Sequence, residues 1–148
     1  MARLSSHQFM QALPDAVRPH LPPERRKFKT LMRSWLCQLY YRNPLLHYEV
    51  WNQGERRGQI EIGLHFESRD PAENTRLLRG FERSLIEVKA RLGDRWEVEQ
   101  WTKSWTKVYT VMKYEPFTDT YLAEVAARLA EAMVVLQPMF EEIYNSKT

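Results

Sequence analysis

From residue 59 to residue 67 the chain reads QIEIGLHFE, with Ile60, Ile62, Leu64 and Phe66 on alternate positions and Glu61, Gly63, His65 and Glu67 between them. Strict alternation suits a strand with one apolar and one polar face, because successive side chains leave a strand on opposite sides. Upstream, Tyr48 and Val50 alternate with His47, Glu49 and Trp51, and Gly54 lies in the segment between the two runs. The two runs are therefore expected to pair as an antiparallel hairpin. The segment DPAENTRLLRGFERSLIEVKARLGD then carries the punctuation of a helix. Asp70 is its cap, Pro71 its first residue and Glu73 the capping-box partner. Gly93 is its left-handed terminator, and Leu77, Leu78, Phe81, Leu85, Val88 and Leu92 are its buried stripe.

The same order recurs downstream. In WEVEQWTKSWTKVYTVMKY, residues 96–114, placing Val98 and Val108 on one face requires an odd loop. A loop of Thr102, Lys103 and Ser104 sets Trp101 across from Trp105 and Glu99 across from Lys107. Trp96, Val98, Val108, Thr110 and Met112 then face the helices, while Trp101, Trp105, Tyr109 and Val111 face away, as Trp51 does in the first hairpin. A closing helix from Thr118 or Asp119 carries Leu122, Val125, Ala126, Leu129, Met133, Leu136 and Phe140 as its stripe. Pro138 is expected to kink or interrupt it.

At the N-terminal end, Ser5 to Leu13 reads as a short helix. Residues 24–41 read as an amphipathic one, with Phe28, Leu31, Met32, Trp35, Leu36, Leu39 and Tyr40 at spacings of three and four. The expected architecture is α+β, one domain over residues 1–148. A basic helical segment (1–45) precedes two hairpin-helix units (46–148) that form a four-stranded, mainly antiparallel sheet with helices packed on it.

Composition narrows the functions. The content is 43% hydrophobic and 28% charged, as in a globular protein, and no apolar run approaches a membrane span. Cys37 stands alone, so no internal disulfide framework exists, and a reducing, cytoplasmic setting is expected. No secretory leader is read at the start. The net charge of +3 is unevenly spread: residues 1–45 hold eight basic side chains against Asp15 and Glu24, whereas the rest holds fourteen basic against seventeen acidic.

The catalytic signatures are thin. No Gly-rich phosphate loop or Gly-flanked serine occurs, Cys37 has no activating context, and no paired-Cys or His-Glu-His helical motif is present. His47 and His65 are able to approach on one hairpin face beside Glu49 or Glu61, yet the default reading of that face is solvated strand. The basic segment is the strongest positive signal. On a helix, Arg26, Lys27, Thr30 and Arg33 point outward, with Lys29 flanking, and such a face offers several phosphate contacts. The aromatic face of Trp51, Trp101, Trp105 and Tyr109 has three readings: cover by the chain's own 24–41 helix, a dimer or partner face, and a stacking platform.

The segments IEIGLHFESRDPAENTRLLRGFERSLIEVKARLGDRWEVEQW and YLAEVAARLAEAMVVLQPMFEEI resemble a bacterial domain family of unknown function. Its members stand alone or at the C-terminus of restriction-endonuclease-like and defence-associated proteins. The resemblance spans residues 47–144 and implies no enzyme activity. The expectation is a non-catalytic intracellular binding module without cofactor or metal, engaging nucleic acid through Arg25, Arg26, Lys27, Lys29 and Arg33. The alternative is a protein-interaction or dimeric chaperone-like domain using Trp51, Trp101, Trp105 and Tyr109. A metal-assisted hydrolase at Glu49, Glu61 and His65 stands third.

Overall fold

The computed structural model describes residues 2–146. Helix α1 (Ser6–Val17) opens the fold and is started by a capping box in which the Ser5 hydroxyl accepts from Gln8 N and the Gln8 side chain accepts from Ser5 N. Two single-turn 3-10 segments, Arg18–His20 and Pro23–Arg25, lead into β1 (Lys29–Arg33) and β2 (Leu36–Tyr40). Strands β3 (Leu46–Asn52) and β4 (Gln59–Phe66) follow, then α2 (Pro71–Arg83) and α3 (Leu85–Leu92). The chain closes with β5 (Glu97–Gln100), β6 (Thr106–Lys113) and α4 (Asp119–Asn145). The fold is α+β, as expected, but the sheet has six strands rather than four, all antiparallel, in the order β1-β2-β3-β4-β6-β5.

The additional strands replace the expected basic helix at 24–41. Its three-and-four spacing is real, but Phe28, Cys37 and Leu39 are also spaced to fill one face of a hairpin, and burial alternates along both strands. Pairing decides between the two conformations. Without β2, the inner strand β3 would present a row of unpaired backbone groups, and β2 closes it with Cys37 opposite Val50 and Gln38 opposite Glu49. Trp35, a member of the expected helical stripe, sits in the β1–β2 turn and is 53% exposed.

The helices lie on one face of the sheet, over Cys37, Leu39, Tyr48, Val50, Ile60, Ile62, Leu64, Phe66 and Val108. The Tyr48 hydroxyl donates to Gln137 Oε1 of α4, and α1 packs alongside α4. Burying each large aliphatic or aromatic side chain here contributes about 1.5–3 kcal/mol. Asp70 accepts from Ala72 N at the start of α2, and Gly93 ends α3 with a φ of 120°, a conformation that suits glycine. The helix expected between them is broken at Ser84 into α2 and α3. Helix α4 runs through Pro138 without interruption. The carbonyl deprived of a donor there belongs to Val134, a residue on the exposed side of the helix.

Among the described residues, no helix is long and apolar enough to cross a membrane.

Candidate metal centre

The second face of the sheet carries no helix, and four potential metal ligands meet on it. Strand alternation sends His47 and Glu49 of β3 to this face and does the same for His65 and for Glu67, which lies just past β4. The β3–β4 register sets His47 directly across from His65, and their rings stack with centroids 5.7 Å apart at 13°. Glu49 stands opposite Gly63, where no side chain intervenes, and its Oε2 lies 3.7 Å from His65 Nε2. Glu67 N donates to Leu45 O at 2.8 Å, which carries the ladder one residue further and places the backbone of the fourth residue. One ligand atom from each of His47, Glu49, His65 and Glu67 lies within 4.8 Å of the other three. A tetrahedral metal with bonds of about 2.1 Å spaces its ligands about 3.4 Å apart, so small side-chain rotations close the set.

The hydrogen bonds set which ring nitrogens are left facing the other carboxylates. His47 Nδ1 donates to Pro44 O at 2.7 Å, since a carbonyl can only accept. That leaves Nε2 facing Glu49 Oε1 at 3.3 Å and Glu67 Oε2 at 3.9 Å. His65 Nε2 donates to Glu61 Oε2 at 2.8 Å, while Nδ1 faces Glu67 Oε2 at 3.3 Å. A ring nitrogen tied to a carbonyl or carboxylate while the other meets a cation is the recurrent arrangement of metal-bound histidine.

The site is dry and acidic. His47, Glu49 and His65 are 1%, 5% and 0% exposed, whereas the Glu67 side chain keeps 15% and marks the open side. Burial disfavours the His65 imidazolium, but hydrogen bonds to Glu61 and Glu67 and the nearby carboxylate charges outweigh it and lift its pKa to about 9. Burial pushes the Glu49 carboxyl up, but the bond with His47, the charge of His65 and the bond from Gln38 Nε2 at 2.9 Å bring it down to about 2. Glu49, Glu61 and Glu67 share His47, His65 and Lys107 as partners. Such a pocket attracts a further positive charge.

A roof of rings covers the cluster. Lys107 Nζ binds Glu61 Oε1 at 2.5 Å and lies over the rings of Tyr109, Trp101 and Trp51 at 4.2, 4.9 and 5.9 Å. Trp101 meets His65 edge-on at 5.7 Å and also contacts Trp51 and Trp105. Its backbone N–H donates to Trp105 O at 3.0 Å, and Glu99 pairs with Lys107, which is the expected loop register. Asn74 of α2 steadies that loop by donating to Ser104 O at 2.8 Å. The Trp51, Trp101 and Tyr109 rings thus close around the chain's own lysine, and Trp105 stays 38% exposed at the rim. The N-terminal segment expected to cover these rings does not do so, because β1 and β2 extend the sheet edge instead.

The residues expected to bind nucleic acid are dispersed. Arg25 forms a two-pronged pair with Glu141 of α4 at 2.8 and 3.1 Å, and Arg26 Nε donates to Leu21 O. Lys27 precedes β1, while Lys29 and Arg33 lie at its two ends. Residues 24–41 therefore form no helical basic face. The expectation of a non-catalytic module gives way to a preformed, buried His/Glu cluster with ligand-like spacing. Glu49, Glu61 and His65 are grouped in the sequence reading, whereas Glu67 as a member of the cluster and Lys107 as its counterion are not. Glu67 was legible as the next step of the 61–63–65 alternation. Lys107 was placed correctly against Glu99, while its other neighbour, His65 on β4, depends on strand order.

No protein-family model matches the chain, and neither a curated protein nor a solved structure matches it significantly.

Proposed function

We propose that this protein holds a divalent transition metal through His47 Nε2, Glu49, His65 Nδ1 and Glu67, and that the metal serves a hydrolytic reaction on the helix-free face of the sheet. The observation that carries this reading is the mutual reach of four ligand atoms, three of them on nearly fully buried side chains. Two imidazoles with two carboxylates suit zinc, cobalt, iron or manganese, and no thiolate is present to favour a softer ion. Loading also balances charge. With a dication, the carboxylates of Glu49, Glu61 and Glu67 face the metal and the Lys107 ammonium, and the buried group becomes neutral. With four protein ligands the shell would have to expand by one position, or Glu67 to give way, for the metal to polarise a substrate oxygen and acidify a water. The Glu67 side, where burial is least, is where both would enter.

Titrating metal-stripped protein with Zn²⁺ and Co²⁺ by calorimetry and absorption is the direct test. One site per chain is expected, lost in His47→Ala and His65→Ala. A flat titration removes the proposal. Activated carboxyl and phosphate esters then test the chemistry: metal-dependent turnover supports hydrolysis, and tight binding without turnover confines the site to a structural role.

A further inference from the structure

We propose that Lys107 is a positioning residue that holds Glu61 out of the metal's coordination shell, that Glu61 in turn orients His65, and that the pair thereby sets which metal the site prefers. The inference rests on the metal reading above and concerns a pair outside the four ligands. Glu61 is chemically a fifth ligand: it is 1% exposed, on the same face, and one alternation step before Gly63. Both its oxygens are nevertheless committed, Oε1 to Lys107 Nζ at 2.5 Å and Oε2 to His65 Nε2 at 2.8 Å.

That commitment has two effects. It makes Nε2 of His65 a donor, so Nδ1, the nitrogen beside Glu67, is left to ligate. It also keeps the shell at two nitrogens and two carboxylates. Lys107 is well fixed for this work. It is 5% exposed, sits opposite His65 on β6, and is enclosed by Tyr109, Trp101 and Trp51. A desolvated ammonium over aromatic faces is held more strongly than one in water. Without its charge, Glu61 loses its counterion and swings toward the metal. The shell then becomes richer in oxygen, five-coordinate or higher, and better suited to manganese than to zinc.

The test compares wild type with Lys107→Met, Glu61→Gln and Lys107→Arg, each stripped and titrated with Zn²⁺, Mn²⁺ and Co²⁺. Lys107→Met is expected to weaken Zn²⁺ binding about 10- to 100-fold, the usual cost of losing an outer partner, and to move the Zn²⁺:Mn²⁺ preference toward Mn²⁺. Its Co²⁺ spectrum should lose the intensity of a four-coordinate site. Glu61→Gln keeps an acceptor for His65 but carries no charge. It should weaken Zn²⁺ binding to a similar degree without gaining Mn²⁺, because the amide is a poor ligand. Lys107→Arg retains the charge and should recover most of the wild-type preference. Wild-type metal preference and Co²⁺ spectrum in both Lys107→Met and Glu61→Gln would overturn the inference while leaving the metal reading intact. Failure of wild type itself to bind metal would overturn both. Should Lys107→Met not fold by circular dichroism, the near-isosteric Glu61→Gln decides: weakened Zn²⁺ binding with the four-coordinate Co²⁺ spectrum kept supports the proposal, and either unchanged Zn²⁺ affinity or loss of that spectrum overturns it.

Discussion

His65 is the residue on which the free protein and the proposed metal-bound form would make opposite demands. In the metal-free chain its pKa is raised to about 9 by Glu61, Glu67 and Glu49 against the cost of burial. The unfolded value is the ordinary 6.5. A raised pKa means that the folded state holds the proton more tightly. The resulting stabilisation is complete below pH 6.5 and disappears as pH rises through 9. Glu49, brought down to about 2, contributes in the opposite sense: its stabilisation is present above pH 4.5 and lost as acid protonates it toward pH 2. A metal at His65 Nδ1 must displace the proton, so its affinity rises over the range in which the metal-free protein weakens. Melting curves from pH 6.5 to 9 should therefore fall with chelator present and hold steady or rise with Zn²⁺. Cys37 is a contrasting case. Burial, with a smaller push from the charge of Glu49, lifts its thiol to about 12, and it is 0% exposed on the helix side of β2. Iodoacetamide at mildly alkaline pH should leave it unmodified in the folded protein and alkylate it fully in guanidinium chloride, as read by intact mass.

At the scale of strands, Gly63 sets how closely β4 and β6 approach. A Cβ at this position would lie 2.8 Å from both Val108 O and Tyr109 Cβ, and the backbone atom cannot rotate aside. Gly63→Ala should therefore cost about 1–3 kcal/mol of overpacking, measured by urea denaturation, with metal affinity falling as the faces of β4 and β6 shift. Strands β3, β4 and β6 were legible because alternation over seven or eight residues has no helical counterpart, and the odd loop after Trp101 followed from keeping Val98 and Val108 together. Strands β1 and β2 were not legible for a physical reason. Five-residue strands joined by a tight turn place Phe28, Met32, Leu36 and Leu39 at helix-like spacings by coincidence, and only the open edge of β3 breaks the tie. Arg25 shows the same dependence on tertiary context, since its partner Glu141 lies 116 residues away.

For the whole molecule, placing α1, α2, α3 and α4 on one side leaves the other side to bury its polar centre with its own long side chains. Half of that centre was visible in the sequence: His47, Glu49, Glu61 and His65 alternate onto one face of a hairpin. Their burial was not visible, because the roof comes from Trp101, Lys107 and Tyr109, delivered by a third hairpin that inserts β6 beside β4. Metal binding should accordingly act on the entire fold and not on one hairpin. Ligands from β3 and β4 meet beneath a roof supplied by β6 and the Trp101 loop, so an ion bound only by the folded state stabilises all of these together. At free metal one hundred times the dissociation constant the gain is about 2.7 kcal/mol. Zn²⁺ should raise the melting temperature in a concentration-dependent way, and His47→Ala or His65→Ala should abolish the shift. Trp101→Ala separates the roof from the ligands. It leaves all four ligand side chains in place while opening the side above His65, so Zn²⁺ should still bind, but a chelator should extract it at least about tenfold faster than from wild type, since affinity losses of this kind appear mainly in the dissociation rate. Equal extraction rates would mean that ions leave past Glu67, the most exposed of the four side chains, and that the rings serve only to hold Lys107.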